Sequence, residues 1–187
     1  MRLKMQVITA LCLLSACASA PKIDYYTLDM EPSGEARTAV NLTIDRVRAT
    51  DALSRSEILV QASPTRIEYY ASDRWVGGVA ELVEQKLRAE FGSAVEGRRS
   101  LAVAATVLAC EQVDVANGAV ARMKLSVTVR DPALKRYQEA LLEKTYEASL
   151  PASQPTAGAV VEALSECAER IAAEIADDAS KLSLMQN

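Results

Sequence analysis

The chain has 187 residues, half of them apolar but only 4% aromatic, with a formal net charge of −4 and no histidine. That length supports one domain with an aliphatic core, and the acidic balance argues against nucleic acid as a partner. The missing histidine excludes histidine general bases, Ser-His-Asp triads and histidine metal sites, so neither a metal nor a cofactor is expected.

Arg2 and Lys4 begin the chain, followed by an apolar run over residues 7–14. The run has the length of a signal-peptide h-region and is too short to span a bilayer. Leu14-Ser15-Ala16-Cys17 closes it, and this tetrapeptide resembles the bacterial lipobox. The resemblance implies cleavage before Cys17, with a diacylglyceryl thioether on its sulfur and an acyl chain on its new amine. Each buried methylene stabilises such attachment by about 0.8 kcal/mol, and two or more chains hold firmly. An ordinary secretory signal cut after Ala18 or Ala20 is the alternative. Ala18-Ser19 follows the cysteine in place of aspartate. In lipoproteins with this signal that difference implies the outer membrane, with the domain on its periplasmic face. Removing residues 1–16 takes away Arg2 and Lys4 and no acid, so the mature charge falls from −4 to −6. The expected organisation is a signal peptide over 1–16, a lipidated tether over 17–22 and one periplasmic domain over 23–187.

Residues 23–28 read as a first strand, and residues 38–47 as a second with Val40, Leu42 and Ile44 facing inward. Residues 57–62 and 66–70 form a hairpin around Ser63-Pro64. Ile67-Glu68-Tyr69-Tyr70 echoes Ile23-Asp24-Tyr25-Tyr26. Adjacent tyrosines point to opposite faces of a strand, so one ring of each pair can pack while the other stays near water. Ser72 or Asp73 can cap a following helix whose stripe is Val76, Val79, Ala80, Val83, Leu87 and Phe91. Lys86 falls outside that stripe, with Glu81, Glu84 and Arg88. Gly77-Gly78 can delay the helix, and Gly92 stops it.

Residues 101–115 make a long strand with a bulge or an edge expected at Glu111. Asn117-Gly118 is the strongest hairpin signal in the chain. Residues 122–130 alternate Met123, Leu125, Val127 and Val129 with polar residues, and residues 137–148 read as a third antiparallel strand, with a helix through Ala140, Leu141, Leu142 and Glu143 as the alternative. The last helix carries Val160, Leu164, Cys167, Ala168, Ile171, Ile175, Ala179 and Leu182 on one stripe. The order predicts an α+β fold: an antiparallel or mixed sheet with two main helices packed on one face. Cys110 and Cys167 are the mature body's two cysteines. An even pair in an oxidising compartment suggests a disulfide, worth about 4 kcal/mol for a loop of this length. Two buried free thiols are the alternative.

Several segments in order resemble the ABC-type transport auxiliary lipoprotein family, the paraquat-inducible protein C type. They are the lipobox, Tyr25-Tyr26-Thr27-Leu28, the strand 42–47, Ile67-Glu68-Tyr69-Tyr70, and Asp73-Arg74-Trp75 with Glu81-Leu82-Val83 beyond it. Val76-Gly77-Gly78 departs from the Ala-Glu-Pro-like residues that often follow the tryptophan in that family. The resemblance implies a non-catalytic auxiliary and docking component of an MCE-type system moving lipids between inner and outer membranes. Its implied partners are an MCE-domain periplasmic protein and an inner-membrane ABC permease and ATPase, with a homo-oligomer as a further expectation. Arg74 and Trp75 are interface candidates because such residues anchor interfaces, although a tryptophan in the core is the commoner use. A free-standing envelope lipoprotein for assembly or small-ligand binding is the alternative function. Catalysis is not expected, because Asp24, Asp45, Glu68 and Asp114 show no spacing that singles out an acid pair.

Overall fold

The structure, a computed structural model, describes residues 22–133 and 140–184. The signal peptide and Cys17 lie outside the described residues. So does the 137–139 part of the third predicted antiparallel strand.

Strand β1 (Asp24–Tyr26) is followed by β2 (Asn41–Ala49), a 3-10 turn at Asp51–Leu53, β3 (Glu57–Ser63) and β4 (Arg66–Trp75). Helix α1 (Val79–Phe91) leads to β5 (Ser100–Val115), β6 (Gly118–Arg130), β7 (Leu142–Pro151) and the long helix α2 (Ala157–Leu184). All seven strands join one mixed sheet in the order β1-β4-β3-β5-β6-β7, with β2 also on β5. The expected α+β fold, with a mixed sheet and two helices, is what the chain adopts.

The β5–β6–β7 meander is antiparallel and pairs Val103 with Val129 and Leu125 with Tyr146. Its inner face is buried because side chains alternate along each strand. Leu101, Val103, Val107, Met123, Leu125 and Val129 have no exposed surface. The other edge of β5 is shared. β2 runs parallel to its first half and β3 to its second, with Val60 opposite Gln112. The chain leaves the sheet between them at the 3-10 turn, where Leu53 is buried. The β5 irregularity falls between Val107 and Ala109, not at Glu111. It shifts the inward set to Cys110, so Val115 is exposed where unbroken alternation would bury it.

Leu164, Cys167, Ile171 and Ile175 of α2 are fully buried, as the stripe predicts. Each such aliphatic side chain contributes about 1.5–3 kcal/mol on burial. Helix α1 begins at Val79 with Gly78 as its N-cap, and no side chain caps it. Asp73 and Trp75 therefore belong to β4 and not to the helix start. Val76 precedes the helix and is exposed. Gly77-Gly78 explains the delay, since two glycines weaken a first turn. Gly92 ends α1 at φ +66°, ψ −166°, a region nearly restricted to glycine.

Lys86 departs most from its expected setting, because it is wholly buried. Its Nζ donates to Glu90 Oε1 at 2.8 Å, to Glu169 Oε1 of α2 at 2.9 Å and to the Glu31 carbonyl at 2.7 Å. Glu90 also accepts from the Ser33 amide (3.0 Å) and hydroxyl (2.7 Å). The segment between β1 and β2 is thereby strapped over both helices. The Asp29 amide donates to Ser165 Oγ at 2.9 Å and the Ala39 amide to Ser180 Oγ at 3.2 Å. Leu28, Ala36 and Val40 of this strap are core residues.

Candidate functional site

Two of the motif-bearing segments, Tyr25-Tyr26 and Asp73-Arg74-Trp75, meet at one sheet edge. β1 lies parallel to the end of β4, with Asp24 opposite Asp73, Tyr25 opposite Arg74 and Tyr26 opposite Trp75. The Val76 amide extends this pairing by donating to the Tyr26 carbonyl at 2.9 Å, and the Trp75 amide donates to the Ser56 carbonyl at 2.7 Å. Partners across a ladder share a face. Tyr26 and Trp75 thus face inward and Tyr25 and Arg74 outward.

Trp75 is 3% exposed and packs among Leu28, Val79, Leu82, Val83 and Cys110. Its ring belongs to the core and offers no docking surface, which removes it from the interface pair. Arg74 remains partly exposed. Its Nη2 lies 3.8 Å from Glu57 Oε1, and its buried Nε has no hydrogen-bond partner among the described residues. A backbone hydrogen bond, then Arg55 and Arg74, hold the Glu57 carboxyl below the usual carboxylate range.

The hydroxyls of Tyr26, Tyr69 and Tyr70 are committed. Tyr26 donates to Asp73 Oδ1 at 3.0 Å, and Tyr70 to Gln112 Oε1 at 2.5 Å. Gln112 Nε2 passes the chain on to Asp114 Oδ1 at 2.6 Å. Burial, followed by the neighbouring aspartates, pushes both phenols above their ordinary pKa. Tyr69 donates to the Ala52 carbonyl at 3.0 Å, with the Arg55 guanidinium 4.4 Å from its ring centre. One tyrosine packs and one is exposed in the first pair, as expected. In the second pair both are half-buried, because the 3-10 turn covers Tyr69. Tyr25, at 63% exposure, is the open member of this edge.

The acids considered for chemistry sit in separate contacts. Asp24 pairs with Lys22 at 2.6 Å and Glu68 with Arg66 at 3.1 Å. Asp114 accepts from Gln112, and Asp45 borders a shallow depression of about 300 Å³ with Arg46, Ala102, Ala104, Thr128 and Arg130. No group of three or more metal-ligating residues occurs among the described residues. Cys110 and Cys167 are free, buried thiols and no bond joins them. Each sits in apolar surroundings, and Cys167 Sγ donates to the Ala121 carbonyl at 3.7 Å. Burial pushes the Cys110 thiol up to about 12 and the Cys167 thiol up to about 11, so neither is poised as a nucleophile.

The Lys86 cluster and the parallel β1–β4 pairing were missed from the sequence. A lysine three residues after Val83 and one before Leu87 sits near the edge of the apolar stripe. The available signal was Glu90 four residues on, an i,i+4 partner that can accompany a lysine inward.

These features define a mixed-sheet α+β domain with a committed polar edge and an N-terminal strand entering at that edge. The family model of the ABC-type transport auxiliary lipoprotein component matches residues 26–176, and the chain belongs to that family. Protein XCC0632 from Xanthomonas campestris, of family DUF330, shares the fold at TM-score 0.68 and 16% identity, over 88% of this chain and 98% of that one. A second, uncharacterized protein of known structure aligns at TM-score 0.65 and 14% identity, over 86% of this chain and all of the other. No curated protein sequence matches significantly. No helix of the described residues is long and apolar enough to cross a membrane.

Proposed function

We propose that this lipoprotein is a non-catalytic docking subunit of an MCE-type ABC transporter. Acyl chains on Cys17 hold it to the periplasmic face of the outer membrane. Its partners are the MCE-domain periplasmic protein and, through that protein, the inner-membrane permease and ATPase that move lipid between the membranes. The observation that carries this reading is the family match over residues 26–176, read together with a lipobox placed just before it. The chemistry at the candidate site supports recognition over bond-making. The phenols of Tyr26, Tyr69 and Tyr70 are tied into fixed hydrogen bonds, and burial raises both thiols out of the reactive range.

The test is co-purification from envelopes in mild detergent, with wild type compared against Cys17→Ala. Wild type should carry acyl chains by intact mass, fractionate with the outer membrane and recover the MCE protein. Cys17→Ala should lose acylation and membrane retention. Recovery of acylated protein without transporter components would sink the docking role.

A further inference from the structure

The direction of β1 sets the end of the sheet from which the described chain enters the domain. Because β1 runs parallel to β4 with Asp24 opposite Asp73, residues 66–72 of β4 project past β1 toward the chain start. This overhang is about 23 Å long at ~3.3 Å per residue. Cys17 precedes Asp24 by the same seven residues, a contour of at most about 23–25 Å. A fully extended tether only just brings Cys17 level with the β3–β4 turn at residues 64–65. The β5–β6 turn lies at the same end, since Gln61 is opposite Val113 in a parallel pair. This hairpin end and the β1–β4 edge therefore both lie within reach of an anchored Cys17.

Those same parts carry exposed apolar side chains. Ile23, Tyr25, Ile67 and Val115 are 38%, 63%, 52% and 48% exposed. Beyond residue 72 the outer edge of β4 is occupied by β1, while before it no described strand pairs there. This end also carries the exposed ion pairs Lys22–Asp24 and Arg66–Glu68, but the far edge differs in exposing no large apolar side chain among the described residues. On β7, Glu143, Lys144, Thr145, Glu147 and Ser149 are exposed, and of its larger apolar residues Tyr146 and Leu150 are buried and Leu142 is partly buried. A polar, charged edge is the usual protection of a strand facing water. Exposed apolar residues along one end and edge of the sheet, a tyrosine among them, suit the headgroup boundary, where an amphipathic ring is favoured. The acidic body is not drawn to anionic lipid by its charge. Apolar insertion and the tether must supply the contact.

We propose that the hairpin end and the β1–β4 edge form a membrane-contacting surface, in which Ile23, Tyr25, Ile67 and Val115 enter the headgroup region of the bilayer that holds Cys17. This rests on the reading of Cys17 as acylated. The domain would stand on the membrane in one attitude, with β7 and its edge directed away.

The test uses the full acylated protein in vesicles of phosphatidylethanolamine and phosphatidylglycerol. An environment-sensitive dye is placed on Ile67→Cys, on Val115→Cys and, as control, on Ser149→Cys of the far edge. Cys110 and Cys167 are buried and remain unlabelled. Quenching by headgroup-labelled nitroxide lipid should be several-fold stronger at 67 and 115 than at 149. Adding Ile23→Ser and Tyr25→Ser should reduce it at both positions. Equal quenching at all three positions, with acylated Cys17 confirmed by intact mass, would overturn the proposal and leave the anchor intact. Energy transfer between copies at position 67 with no lipid quenching would overturn it in favour of strand pairing between protomers. An intact mass lacking acyl chains would remove the anchor reading, and this proposal with it.

Discussion

Replacing Lys86 by methionine tests the claim that a buried ion cluster straps the N-terminal segment to both helices. Methionine keeps most of the apolar stem and removes three donors at once. Glu90, whose side chain has no exposed surface, would keep only the Ser33 amide and hydroxyl. The Glu31 carbonyl and one Glu169 oxygen would lose their lysine contact. Breaking one side of a buried pair costs about 3–5 kcal/mol, because the remaining charge stays desolvated. For a domain of this size that is a fall in Tm of roughly 6–20 °C. Urea and thermal unfolding give the loss, and amide exchange over residues 29–39 shows whether the strap loosens first. Adding Glu90→Gln should restore at least about 1 kcal/mol by removing the stranded charge. A loss below about 1 kcal/mol for Lys86→Met, or no recovery in the double variant, would refute the strap as an electrostatic device.

The same cluster sets a pH dependence with a definite sign. Burial opposes the charge on Glu90, but Lys86 and Ser33 outweigh it and hold the carboxyl below its ordinary value. Its contribution is complete above the unfolded value of about 4.3 and is lost as pH falls through the lower folded value. Unfolding titrations should show this acid loss in wild type and a weaker one in Glu90→Gln. Both thiols should resist maleimide in the native protein at pH 8 and take two labels after denaturation; one or none would contradict free, buried cysteines. Trp75→Ala should cost about 3–5 kcal/mol as a core truncation, and wild-type tryptophan emission should shift red on unfolding. An already red native spectrum would contradict its burial. Gly92→Ala should cost about 1–3 kcal/mol, measured by urea unfolding, because it forces a side chain into a glycine-only backbone region. A neutral result would mean that the α1 terminus relaxes freely.

Much of the second half of the fold is legible from residue patterns. The β6 alternation of Met123 to Val129 and the α2 stripe from Val160 to Ala179 each follow one period without interruption, and each is buried as expected. Legibility fails where a local signal competes with a distant partner. Asp73-Arg74-Trp75 has the composition of a helix entrance, yet Tyr25 and Tyr26 draft it into a strand by parallel pairing from some fifty residues away. Lys86 reads as a solvent-facing residue until Glu169 and the Glu31 carbonyl arrive from other parts of the chain. The bulge after Val107 reverses which of the later β5 residues face inward.

The sequence by itself determines the α+β class, the β5–β6 hairpin and the two amphipathic helices, because each depends on contacts or periodicities within a short window. Only the tertiary structure decides the parallel partners of β1, β2 and β3. Parallel pairing joins distant segments and leaves no turn between them to read. It also decides which motif residues act at the surface. Trp75 is consumed by the core, while Tyr25, next in sequence to its cross-strand partner Tyr26, is left facing outward. That outcome depends on strand direction and register, which a one-residue shift would invert.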